Sequence, residues 1–123
     1  SVGRSKRRQV TILSREAWDA ATSELGAAVD PAMRRANILV SGLDLYDTRG
    51  KVLRIGSCRL IIGGELTPCE RMDEASLGLQ AALTPRWRGG VFAQLEEGGV
   101  VRVGDAVEWE DASFSAAHVN ARR

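Results

Sequence analysis

The chain has 123 residues, of which 44% are hydrophobic and 27% charged, and its formal net charge is +1. That length suits one domain with its own core, and no run approaches the roughly 18 apolar residues that a membrane helix needs. A charge so near zero gives little reason to expect strong non-specific attraction to nucleic acid or anionic lipid. Two cysteines are too few for a secreted disulfide framework, and no signal-peptide pattern appears. We therefore expect a cytoplasmic single-domain protein that binds neither nucleic acid nor membrane.

The first half of the chain alternates between strand and helix patterns. Residues 1–8 are polar and basic, as is typical of a loose terminus, and the β-branched alternation of 9–13 predicts a strand. A serine cap and apolar residues at helical spacing predict a helix at about 14–25, which a glycine ends. An Asp-Pro pair then starts a single helical turn over 30–34, and the apolar run 37–42 predicts the next strand.

The second half of the chain is dominated by short strands. Residues 51–55 and 58–62 predict a hairpin around a Gly-Ser turn, and helical spacing over 73–83 predicts a second helix that a proline ends. Three further strands with glycine-rich turns are predicted at GVFAQLE (90–96), VVRV (100–103) and AVEW (106–109). Short strands with few helices predict a mainly β, α+β fold: a small mixed or antiparallel β-barrel with about two peripheral helices. Residues 1–123 would form this single domain, with flexible ends at 1–8 and 111–123.

The two cysteines differ in their predicted surroundings. Cys58 lies in phase with the apolar residues of its strand, which indicates a packing role. Cys69 follows Pro68 after the strand has ended, and Arg71 comes two positions later. A positive neighbour at an open position favours the thiolate, which is the form that binds a soft metal or carries sulfur. The spacing alone leaves open an unreactive buried thiol.

A second group of polar residues surrounds the apolar run 37–42. Arg34 and Arg35 end the predicted helical turn, Asn37 opens the strand, and Ser41 with Gly42 offers backbone N–H donors at its other end. Such groups suit an oxyanion or a phosphate. Arginines at the end of a helix also interact well with its dipole, so a structural capping role stays equally open.

The remaining candidates favour ordinary structural roles. The basic cluster of Arg86, Trp87 and Arg88 is most simply a solvated loop. His118 is the only histidine and has no local motif around it, so a Ser-His-Asp, Cys-His or zinc site is not expected.

Five segments, in this order, resemble the MOSC domain, the module named for the C-terminal part of molybdenum cofactor sulfurase. They are RQVTIL (8–13), RRANILVSGLDLY (34–46), LRIGSCRLII (53–62), TPCERMDEA (67–75) and RWRGGVFAQLEEGGVVRVGDAV (86–107). The resemblance implies a β-barrel whose pocket binds the pterin-based molybdenum cofactor or handles sulfur for it. The implied partner is the anionic pterin cofactor or a sulfur donor protein.

The same resemblance implies roles for individual residues. Cys69 occupies the place of the family's reactive thiol, as the catalytic residue and as the ligand of the metal. The positions that match those holding the anionic cofactor are Arg34, Arg35, Asn37, Ser41 and Arg71. Guanidinium groups could contact its phosphate, and the polar side chains could contact the pterin.

The chain departs from its relatives in two ways. Relatives such as the mitochondrial amidoxime-reducing component have C-x-R-C, where the second cysteine can ligate the metal, and this chain has Met72 at that position. Many relatives also begin with further strands, whereas only eight residues precede the predicted strand at 9–13. A missing strand would expose a sheet edge and could favour a homodimer.

Three hypotheses follow. The protein is a MOSC-type domain that binds the molybdenum cofactor or carries sulfur on Cys69 as a persulfide, or it is a cofactor-dependent reductase of N-hydroxylated compounds. The third hypothesis is a structural barrel without chemistry in its pocket.

Overall fold

The structure, a computed structural model, describes residues 8–110 and 118–121. In these residues one seven-stranded sheet forms the framework of the fold. Its strands are β1 (Gln9–Ser14), β2 (Ile38–Ser41), β3 (Val52–Ile55), β4 (Cys58–Glu65), β5 (Val91–Glu97), β6 (Val107–Trp109) and β7 (His118–Asn120). The helices are α1 (Arg15–Leu25), α2 (Met72–Ala75) and α3 (Leu79–Leu83), with 3₁₀ turns at Pro31–Arg34 and Pro85–Trp87.

The sheet curls until its two ends meet. The strand order is β6-β3-β4-β5-β1-β2-β7, in which only the β1–β2 pair is parallel. At the seam, Ala106 bridges His118, and the Gly104 amide donates to the Val119 carbonyl over 2.8 Å. The described residues therefore form a nearly closed barrel, and the predicted mainly β barrel class is confirmed.

Alternation along the strands builds two cores, one on each side of the sheet. Ile12 packs inside the barrel and its neighbour Leu13 packs outside, and Val40 and Leu39 divide in the same way. The outer core is covered by the helices, which contribute Trp18, Ala21, Met72, Leu79 and Leu83. Helix α1 packs on β1 and β2, and α3 packs on α1 and α2. The helices are held there because fully buried apolar side chains of this size are each worth about 1.5–3 kcal/mol.

Helix α1 forms as its sequence predicts. The Ser14 hydroxyl accepts the Ala17 amide at the start, and Gly26 ends the helix in the left-handed conformation with φ 76°. Trp18, at 1% exposure, is the main anchor of the helix, and its indole N–H donates to the Val29 carbonyl over 2.7 Å. The helix and the loop after it are therefore fixed to the outer core.

Four sequence predictions differ from the structure. The second helix, predicted over 73–83, is two short helices, because Ser76 is extended and Gly78 is left-handed with φ 92°. The predicted strand at 100–103 is a loop, and the strand predicted over 58–62 runs on to Glu65 as β4. Residues 118–120, expected to be part of a flexible end, pair with β2 as β7. The other residues predicted to be flexible, 1–7, 111–117 and 122–123, lie outside the described residues.

The chain passes very close to β1 at Gly90, where β5 begins. Gly90 has φ 103°, and a Cβ atom there would lie 2.5 Å from the Ile12 carbonyl oxygen. Gly50 also has a positive φ, 86°, but a Cβ atom there would have no neighbour within 4 Å. A substitution at Gly50 therefore introduces backbone strain alone, whereas the same substitution at Gly90 introduces strain and a steric clash.

We expect Gly50→Ala to cost about 1–2 kcal/mol, which is the strain of a left-handed L-residue. Gly90→Ala should cost about 1–3 kcal/mol more, because the added methyl group also displaces the β1 backbone. Urea unfolding of both variants measures the difference, and equal losses would contradict the close approach.

Candidate functional site

Cys69 lies on a short loop between the barrel and its helical cover. This loop, residues 66–71, follows β4 and precedes α2, and we call it the thiol loop. At its start the Leu66 amide donates to the Gly90 carbonyl over 2.8 Å, and at its end the Cys69 carbonyl accepts the Met72 amide over 3.0 Å. Pro68 is buried whereas Cys69 is exposed. The thiol is therefore presented to solvent from a loop that is held at both ends.

The side chain of Arg34 joins three segments at this loop. Its Nε–H donates to the Gly89 carbonyl over 2.8 Å, and its Nη2–H donates to the Leu66 carbonyl over 2.7 Å. Burial lowers the pKa of the Arg34 guanidinium, and the negative charge of the nearby Cys69 thiolate opposes that shift. An arginine keeps its charge in proteins despite such a shift, so a half-buried positive charge lies near the thiol.

An open cleft of about 730 Å³ surrounds the thiol. It is lined by Met33, Arg34, Arg35, Cys69, Arg71, Met72, Glu74 and Ala75. Three guanidinium groups face one carboxylate there, so the lining carries net positive charge and favours an anionic ligand. Its volume is within the range of small-molecule sites.

Arg35 and Arg71 are the exposed cations of the cleft. Arg35 adopts the left-handed conformation, with φ 65°, where its amide ends the 3₁₀ turn by donating to the Ala32 carbonyl. Arg71 directly precedes α2. The backbone places both side chains beside the thiol loop, and four of the six predicted site residues, Cys69, Arg34, Arg35 and Arg71, thus share one cleft.

The other two predicted site residues, Asn37 and Ser41, lie outside the lining of this cleft. The Asn37 side-chain oxygen accepts the amide and the hydroxyl of Thr11, at 2.9 and 3.1 Å, and so ties β2 to β1. Ser41 is buried, and its hydroxyl accepts from the Asn120 side chain over 2.7 Å, which ties β2 to β7. The Gly42 amide, predicted to suit an oxyanion, donates to the Glu16 carboxylate of the protein itself.

Cys58 faces the barrel core, as its alternation predicts. Its side chain is buried at 5% exposure. Burial raises the pKa of the Cys58 thiol, and the charge of Asp105 raises it further. Because thiol reactivity depends on the thiolate, Cys58 is the inert cysteine and Cys69 the accessible one.

The basic cluster of Arg86, Trp87 and Arg88 is exposed at Arg86, as predicted for a solvated loop, but packed at Arg88. Arg88 makes two hydrogen bonds to the Glu24 carboxylate, at 2.8 and 2.9 Å, and a third to the Ala82 carbonyl. Arg86 contacts Asp44 at 3.2 Å and lies 4.4 Å from the centroid of the Tyr46 ring. These contacts hold the segment that leads to Gly89, whose carbonyl accepts a hydrogen bond from Arg34.

Sequence reasoning did not single out Glu74, Met33 or Gly89 as members of the site. Glu74 and Met33 line the cleft, and the Gly89 carbonyl accepts from Arg34. The glycine pair before β5 was the available signal, because paired glycines often mark a close approach of two backbones. In residues 8–110 and 118–121, no group of three or more His, Cys, Asp or Glu side chains is placed to hold a metal ion.

Comparison with known proteins supports the family that the segments resemble. The family model of the MOSC domain matches residues 1–108. The chain therefore belongs to the MOSC domain family, the kind of domain found in molybdenum cofactor sulfurase.

The fold is also similar to a solved structure. The crystal structure of YuaD from Bacillus subtilis matches with a TM-score of 0.67 and 23% identity, over 94% of this chain and 65% of YuaD. That likeness concerns the fold alone, and this chain spans less than two thirds of the length of YuaD. A comparison with curated proteins finds no match. Among the described residues, none of the helices has the length and apolar content needed to cross a membrane.

We expect one thiol to react quickly in the folded protein and two after unfolding, because only Cys69 is exposed. The measurement is a thiol titration with an aromatic disulfide, in buffer and in denaturant. In Cys69→Ser the fast phase should vanish, whereas in Cys58→Ala it should persist. A fast phase retained in Cys69→Ser would contradict this assignment.

Proposed function

We propose that this domain binds the pterin-based molybdenum cofactor at the cleft around Cys69, with the thiolate of Cys69 directed at the metal. The observation that carries the proposal is the presence of an exposed thiol and three arginines in one cleft. Family membership supports it, because the domain is of the kind named for a molybdenum cofactor enzyme.

The residues present fit such a group. A thiolate is a soft ligand of the kind that transition metals accept, and exposed guanidinium groups form charge-assisted, bidentate contacts to a phosphate. Arg35 and Arg71 would hold the phosphate, and Cys69 would approach the molybdenum. Asn37 and Ser41 remain proposed contacts of the pterin, but to reach it they would have to leave their present partners in the sheet.

The protein's own part in the chemistry is to bind and orient. When bound, the cofactor would supply redox chemistry at the metal, including any reduction of N-hydroxylated compounds. The arginines would neutralise the anionic group, and the fixed thiol loop would limit the positions that the sulfur can reach. Met72 occupies the position of the second cysteine of some relatives and is buried in the outer core, so Cys69 is the thiol available in the cleft.

The test is the molybdenum and pterin content of protein freshly purified from a host that makes the cofactor. We expect wild type to retain both and Cys69→Ser to lose at least about tenfold, which corresponds to about 1.4 kcal/mol of binding free energy. Cys58→Ala is the matched control, because that thiol is buried away from the cleft, and it should retain both. Equal content in Cys69→Ser and wild type would contradict ligation by Cys69.

A second candidate function is favoured by the accessibility of Cys69: transfer of sulfur as a persulfide. The Cys69 thiolate would attack the outer sulfur of a persulfide-bearing donor. The sulfur–sulfur bond of the donor would break, and the donor would leave as its thiolate. Cys69 would then carry one additional sulfur atom, and the cationic cleft would stabilise the persulfide anion.

Mass spectrometry distinguishes this candidate function from cofactor binding. After incubation with a persulfide donor, we expect Cys69 to gain the mass of one sulfur atom and to lose it again with thiol reductant. Arg71→Gln should lower the yield severalfold, because charge-assisted contacts contribute about 1.5–3 kcal/mol. Arg102→Gln, which removes a charge outside the cleft lining, serves as the control. No adduct on Cys69 in wild type would exclude this second function.

A further inference from the structure

We propose that Arg34 is a positioning residue, which acts on the site through the thiol loop rather than as a contact of the ligand. The inference rests on the proposed role of Cys69 and goes beyond it by separating Arg34 from Arg35 and Arg71. It starts from the two short hydrogen bonds that the guanidinium makes to the Leu66 and Gly89 carbonyls.

The Nε and Nη2 donors of Arg34 bind backbone carbonyls at the ends of two strands. Leu66 and Gly89 lie just beyond β4 and just before β5, where the ladder between the two strands has ended. Carbonyls at such a position still require donors. The guanidinium supplies two N–H groups in one rigid plane, which a flexible ammonium does not. Removal of Arg34 would therefore take a donor from the half-buried Leu66 carbonyl and from the buried Gly89 carbonyl, and it would loosen the thiol loop beside β5.

The other contacts of the thiol loop leave it little freedom while Arg34 is in place. The Pro68 carbonyl is 3.4 Å from the Gln80 side-chain amide, the Cys69 carbonyl accepts from Met72, and the Leu66 amide donates to Gly90. The loop is thus held by the outer helices at one end and by β5 at the other. Arg34, which lines the cleft, adds a contact to the Leu66 carbonyl of the loop.

Gly89 gives independent evidence that this junction is closely fitted. A Cβ atom at residue 89 would lie 2.9 Å from the Leu66 carbonyl oxygen and 3.2 Å from both Arg34 Nη2 and Pro68 Cδ. Only a residue without a side chain allows β5 to approach the thiol loop so closely. The position of Arg34 is therefore determined by packing on both sides of its guanidinium.

Burial separates Arg34 from the other two arginines of the cleft. Arg34 is half-buried, and its Nε and Nη2 atoms already donate to backbone carbonyls. Arg35 and Arg71 are exposed. Arg34 therefore holds the backbone of the site, whereas Arg35 and Arg71 lie where a ligand would arrive.

The test is hydrogen exchange of the Leu66 and Met72 amides in wild type, Arg34→Gln and Arg34→Lys. In Arg34→Gln we expect both amides to exchange about threefold faster or more. Arg34→Lys keeps the charge but should not restore the amide protection, because one ammonium cannot replace the planar fork.

Two further variants keep the proposal falsifiable if Arg34→Gln does not fold. Gly89→Ala keeps the arginine, but its methyl group would push residue 89 away from the Leu66 carbonyl. We therefore expect faster amide exchange in the thiol loop. Gly98→Ala is its matched control, since a Cβ atom at residue 98 would make only an ordinary 3.7 Å contact, and it should match wild type.

Two results would overturn the proposal. The first is wild-type amide protection in Arg34→Gln or in Gly89→Ala. The second is full restoration of amide protection in Arg34→Lys, which would mean that Arg34 acts through its charge alone. Neither measurement uses cofactor or sulfur donor, so a failure of the proposed function would leave this result standing, and the reverse also holds.

Discussion

The site depends on one interaction, the fork of hydrogen bonds from Arg34 to the carbonyls of Leu66 and Gly89. It joins three segments that are distant along the chain: the 3₁₀ turn before β2, the exit of β4 and the entry of β5. Backbone carbonyls at strand ends have lost their ladder partners, and leaving them unpaired costs free energy. A single planar cation satisfies both carbonyls, and in doing so it brings positive charge to the loop that carries the thiol.

The two cores explain why the thiol points outward. The barrel core holds Cys58, and the outer core holds Met72, so the chain between them must cross the rim of the barrel. Pro68 is buried at that crossing and Cys69, the next residue, is exposed. The opposite exposure of Pro68 and Cys69 follows from the path of the backbone. The close approach of Gly89 to Leu66 and Pro68 permits that path. The accessible sulfur therefore results from packing on both sides of the loop.

Local patterns predicted the parts of the fold that local physics determines. Alternation predicted the β3–β4 hairpin and the inward side of Cys58, and the cap residues predicted α1. The patterns missed β7, because its three residues become a strand only by pairing with β2 and closing the barrel. They also missed the break between α2 and α3, because a left-handed Gly78 is compatible with a helical spacing of the apolar residues around it.

The sequence predicted which charged residues form the site, but it did not predict the hydrogen-bond partners of the site residues. Residue type and family pattern pointed to Cys69 and the arginines, which the cleft brings together. The partners that engage Asn37 and Ser41, namely Thr11 and Asn120, lie far away in sequence, so no local pattern could show that these side chains hold the sheet together. For the same reason the carbonyl of Gly89 could not be foreseen as the partner of Arg34.

The most direct test of the central claim, that an anionic pterin enters the cleft at Cys69, is protection of that thiol by such a ligand. The alkylation rate of Cys69 would be measured in wild-type protein with rising concentrations of a phosphorylated pterin. We expect a saturable decrease that weakens as salt is added, since exposed arginines provide the attraction. An alkylation rate that stays the same at every pterin concentration and low ionic strength would contradict the account.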